Sequence, residues 1–135
     1  MVVGLDAELD ESSVDDVSRT EDRIVSQWRE VTSDEKHRMR EHLDEFLRPL
    51  GFETSLIVIR RANSLALYFL CMTLSALLSL HDQWSNGQLK DIVESLFTFL
   101  SDTTDEVRVK RLNWPQAEYE CCLEFFNSLQ GKQTI

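Results

Sequence analysis

The chain has 135 residues, with 24 Asp and Glu against 14 Lys and Arg, a formal net charge of −10. That length suits one domain, and so acidic a protein lacks the cationic surface that neutralises phosphates, which excludes nucleic acid as a partner class. Only four glycines and two prolines occur, too few for the tight turns of a many-stranded sheet.

Residues 1–18 hold Asp6, Glu8, Asp10, Glu11, Asp15 and Asp16, with no base and no aromatic residue. This composition reads as a disordered acidic tail, residues 1–18, ahead of a helical domain at 19–135. Ser12 and Ser13 each precede an aspartate by three residues. They are the candidate phosphorylation sites, where added charge would change what basic surface the tail can meet.

The first helix is expected from Thr20, a capping residue followed by Glu21 and Asp22, which favour the positive end of a helix dipole. Ile24, Val25, Trp28 and Val31 give it one apolar face. Thr32-Ser33-Asp34-Glu35 fits a capping box for a second helix with the stripe Met39, Leu43, Phe46, Leu47 and Leu50, stopped by Pro49 and Gly51.

Ala62 to Leu80 is nineteen residues without a charge. At about 1.5 Å per residue such a run just spans a bilayer core of roughly 30 Å, and Arg60 and Arg61 precede it as positive-inside flanks often do. Ser64, Tyr68, Cys71, Ser75 and Ser79 recur at helical spacing along one side, which suits the buried centre of a bundle better than a lipid-facing span. The preceding Leu-Ile-Val-Ile, Leu56 to Ile59, is rich in β-branched residues. A lone strand has no ladder partner, so it reads as the first turn of this central helix, begun near Thr54 or Ser55.

Ser85-Asn86-Gly87 is turn chemistry before a fourth helix carrying Leu89, Ile92, Val93, Leu96, Phe97 and Leu100. Val107, Val109 and Leu112 alternate with Arg108 and Lys110, as a short extended segment would. Pro115 then opens a fifth helix that ends at Gly131. The expected architecture is therefore all-α: a single compact bundle of about five helices around a hydrophobic central helix, with a disordered N-terminal tail.

No catalytic, cofactor-binding or metal role is assigned to any residue. His37 and Glu41 lie four apart on the second helix but have no matching pair of ligands, and no glycine-rich phosphate loop is present. Cys71, Cys121 and Cys122 are an odd number, two of them adjacent. With no signal peptide visible, they read as reduced thiols in a cytoplasmic or nuclear protein.

The last helix carries the functional expectation. Trp114, Tyr119, Phe125 and Phe126 supply more aromatic surface than a terminal helix needs, and an apolar remainder of that kind marks a protein contact. Arg108, Lys110 and Arg111 form the one basic cluster, placed to steer an acidic partner. The expected function is a non-enzymatic adaptor or scaffold module binding a partner helix or a second copy of itself. A single-span membrane protein, with 62–80 in the bilayer, and a small enzyme without a recognisable motif are the alternatives.

Overall fold

The structure, a computed structural model, describes residues 1–12, 14, 16–33, 37–101 and 106–133. In chain order the elements are β1 (Val2–Leu9), α1 (Val17–Val31), α2 (His37–Leu47), a 3-10 turn (Arg48–Leu50), β2 (Thr54–Arg61), β3 (Leu65–Cys71), α3 (Leu74–Ser85), α4 (Gln88–Ser101), β4 (Val109–Asn113) and α5 (Gln116–Gln133). The fold is thus α+β rather than the expected all-α bundle: among the described residues five helices accompany a four-stranded antiparallel sheet.

The difference arises in Ala62 to Leu80. This run is not one helix but a hairpin turn closed by Ala62 N–H donating to Ser64 O at 2.8 Å, then β3, then most of α3. Along β3 the side chains alternate. Leu65, Leu67, Phe69 and Cys71 enter the core, while Ala66, Tyr68 and Leu70 take the opposite face. Tyr68 and Leu70 on the second face are only half-buried but uncharged, so the whole strand carries no charge and mimics a buried helix in composition. Leu56 to Ile59 do not form a lone strand: their ladder partner is β3, with Leu56 opposite Phe69 and Ile59 opposite Leu67. Ile57 sits in a bulge between them. Among the described residues no helix is long and apolar enough to cross a membrane.

The expected disordered tail is also corrected. Residues 2–9 form β1, an inner strand in the order β2-β3-β1-β4. Val3, Leu5, Ala7 and Leu9 are buried on the helix side. The acids Asp6 and Glu8 take the other side, in register with Asn113 and Arg111 of β4. The extended segment expected near 107–112 is β4. Strand order and direction follow the split β-α-β plan, with two helices in each crossover.

One layer of helices covers the core face of the sheet: α1 contacts β2, α4 contacts β4, and α1 and α4 contact each other. Ile24, Val25, Trp28 and Val31 of α1 and Leu89, Val93, Leu96, Phe97 and Leu100 of α4 fill the space beneath. Helix starts also shift. Asp16 caps α1 by accepting from Arg19 N–H at 3.2 Å. Thr32 ends α1 rather than opening α2, its hydroxyl donating to Trp28 O at 2.7 Å. Thr73 caps α3 through Ala76 N–H at 3.1 Å, and α5 continues past Gly131. The Arg60-Arg61 pair straddles the sheet. Arg61 reaches Asp22 at 2.7 Å and Glu21 at 3.6 Å on α1, while Arg60 lies on the opposite face.

Candidate functional site

The face of the sheet away from α1 and α4 is mostly open to solvent. Its centre is Tyr68, whose ring lies across Gly4: a Cβ at Gly4 would stand 3.2 Å from Tyr68 Cε1. Glycine there lets the ring rest on the strand. Arg60 Nη2 donates to Tyr68 Oη at 2.7 Å, and its guanidinium stands 5.0 Å from the ring centroid. The two side chains therefore hold each other flat against the sheet.

Beside them a groove crosses β1. The ladder to β4 stops at Asp6 opposite Asn113, and after Trp114 and Pro115 the chain enters α5, whose first turns run beside Val2 to Gly4. One cleft of about 320 Å3 lies between Val2, Val3, Gly4 and the α5 residues Ala117, Glu118, Cys121 and Cys122. A second, of about 310 Å3, continues over Leu5, Asp6, Ala66 and Tyr68 and shares Val2, Gly4 and Glu118 with the first. Val2 remains 49% exposed on the floor. Asp6 and Glu118 supply the polar groups, and neither makes an ion pair among the described residues.

What fixes α5 in place is an aromatic cluster at its start. His81 of α3 stacks on Tyr119 with centroids 3.7 Å apart and meets the Trp114 edge at 5.2 Å. Trp84 packs on Trp114 at 6.0 Å and donates from Nε1 to Leu112 O at 2.7 Å. Trp114 and Tyr119 are buried in this cluster and Phe126 is buried further along α5, while Phe125, 47% exposed, is open to solvent. The basic cluster is exposed but locally compensated: Arg108 lies 3.9 Å from Glu106, Lys110 lies 3.9 Å from Glu8, and Arg111 faces Glu8 across the ladder. Ser12 is exposed, its hydroxyl donating to Asp10 at 2.7 Å. Ser13 lies outside the described residues, as does the side chain of His37.

The thiols differ in character. Burial pushes Cys71 up to about 11 and raises Cys122, so both are held as neutral thiols. Cys121 is exposed at the groove, where the lining residues include no Lys, Arg or His to stabilise a thiolate. Among the described residues no group of three or more His, Cys, Asp and Glu is arranged to hold a metal ion. The groove offers apolar contact, a phenol and two carboxylates.

Sequence reasoning missed Val2, Gly4 and Tyr68. A signal was present in β1 as alternation from Val3 to Leu9, overshadowed by its acidic content, whereas Leu65 to Cys71 is uniformly uncharged and offers no alternation to read. No protein family matches the chain, and neither a curated protein nor a solved structure matches it.

Proposed function

We propose that the chain is a protein-binding module, and that the groove over β1 receives an extended partner segment carrying apolar and basic side chains. The observation that supports this is the early end of the β1–β4 ladder. It leaves the first half of an inner strand without a strand neighbour on one side, bordered instead by α5 across an apolar gap. An extended segment matches such a strip, with alternate side chains directed into the gap. Asp6 and Glu118 on its lip, and the net charge of −10, favour a basic partner over an acidic one. This reverses the direction of steering expected from Arg108, Lys110 and Arg111, whose charges face Glu106 and Glu8. Three free thiols suit work in a reducing compartment, cytoplasm or nucleus.

The test is selection from a displayed library of random peptides, followed by titration of the winners against two variants. Ala117 is exposed on α5, so Ala117→Trp fills the gap without entering the core. Enriched peptides should pair apolar with basic residues, lose at least about tenfold in affinity to Ala117→Trp, and weaken further with Glu118→Lys. Winners that bind Ala117→Trp as well as the parent, or that are acidic, would refute the reading.

A further inference from the structure

We infer that two copies of this chain pair through a reciprocal plug-and-cleft contact built around Phe52, a surface separate from the β1 groove. Phe52 is fully exposed, yet the turn that presents it is bonded on both sides. Gly51 N–H donates to Arg48 O at 3.1 Å, and Gln83 Nε2 pins Pro49 O at 2.9 Å. On the far side Met72 N–H donates to Glu53 O at 2.9 Å, and Thr73 Oγ1 to Glu53 Oε2 at 2.7 Å. Gly51 adopts φ 87° and ψ 173°, a region essentially confined to glycine. A held turn that projects a large apolar ring into water is costly to solvation unless something covers the ring. Met72, whose backbone bonds to Glu53, is a second exposed apolar residue, at 65%.

Phe52 itself forms one wall of a cleft of about 490 Å3, whose other walls include apolar Trp28, Leu43, Leu47 and Leu56 with polar Thr32 and Ser55. That exceeds the roughly 150 Å3 that receives a benzene ring in an apolar protein cavity. Exposed Asp44 and Arg48 stand at its edge. A two-fold contact must be self-complementary, because the same patch meets itself. This patch carries both halves of each match: a ring and a cleft, a cation and an anion. A two-fold axis beside Phe52 seats each ring in the other copy's cleft and sets each Arg48 against the other copy's Asp44. Two aromatic rings bury roughly 150–250 Å2 each, short of the roughly 1,200 Å2 of a permanent interface. The dimer is therefore a reversible one rather than a permanent assembly.

Sedimentation equilibrium on the full chain, from low micromolar to near-millimolar concentration, tests the pairing. The parent should show a monomer–dimer equilibrium that Phe52→Glu weakens by at least about thirtyfold, with unchanged far-ultraviolet circular dichroism. Asp44→Arg should weaken it by like-charge contact, and adding Arg48→Asp to that variant should restore it. A chain that stays monomeric throughout, or a dimer indifferent to Phe52→Glu, overturns the proposal. Failure of the charge exchange to restore pairing overturns the two-fold arrangement on which it rests.

Discussion

Two glycines in positions of different kinds show how a single residue sets local geometry. At Gly51 the constraint is backbone: φ 87° with nothing within 4 Å of an added Cβ. Gly51→Ala should therefore cost about 1–3 kcal/mol through strain alone. At Gly4 the constraint is the Tyr68 ring, 3.2 Å from an added Cβ, and that ring lies on an open face where it can yield. Gly4→Ala should cost under about 1 kcal/mol, so urea midpoints for the two variants should separate clearly. Glu21 gives a pH signature. Burial raises its carboxyl above the ordinary 4.5, outweighing the lowering by Arg61. A carboxylate with a raised folded-state value binds its proton more readily in the folded chain, so its contribution favours folding at acid pH and turns into a cost as pH rises through that value. Glu21→Gln should melt higher than the parent at pH 7, with the difference shrinking toward pH 4.5. A lower melting temperature at pH 7 would mean that the Arg61 ion pair outweighs the burial.

At the scale of elements, β1 and β3 are the strands on which the fold turns, and both were hidden by composition. In β1 the period-2 pattern places Val3, Leu5, Ala7 and Leu9 in the core and Asp6 and Glu8 outside it, so half its residues describe a tail and half an inner strand. Leu5 is 1% exposed, and Leu5→Asp would bury a carboxylate without a partner. That substitution should cost more than about 4 kcal/mol or prevent folding, as denaturant unfolding would report; in a disordered tail it would be silent. In β3 the alternating faces share one uncharged composition, because Tyr68 and Leu70 are themselves half-buried on the second face. Leu, Ala and Tyr fit helix and strand alike, so periodicity had nothing polar to count. By contrast α1 and α4 were readable, since each has one buried side and one charged side, the 3.6-residue pattern in plain form.

For the whole molecule, one two-layer core leaves two surfaces with unfinished contacts: the groove over β1 and the Phe52 patch with its cleft. Their lining residues do not overlap. Independent sites add, so Ala117→Trp should leave the monomer–dimer constant unchanged, and Phe52→Glu should leave peptide affinity unchanged. Cross-effects in either titration would mean the surfaces are coupled. Of the contact residues expected on α5, Phe125 is exposed while Trp114, Tyr119 and Phe126 close around the start of the helix or the core. The aromatic content of that segment was legible, but its use was not, because His81 and Trp84 reach it from 30 or more residues upstream. The sequence by itself determined the amphipathic helices α1 and α4, the extended segment at β4, the proline-opened last helix, the free thiols and the acidic balance, all of which are properties of neighbouring residues or of composition. Only the tertiary structure decided that residues 2–9 are a strand, that Ala62 to Leu80 divides into strand and helix, and that α5 stands beside β1 across a gap. A strand acquires its hydrogen bonds from partners distant in the chain, so a local pattern proposes it and only the assembled sheet makes it stable.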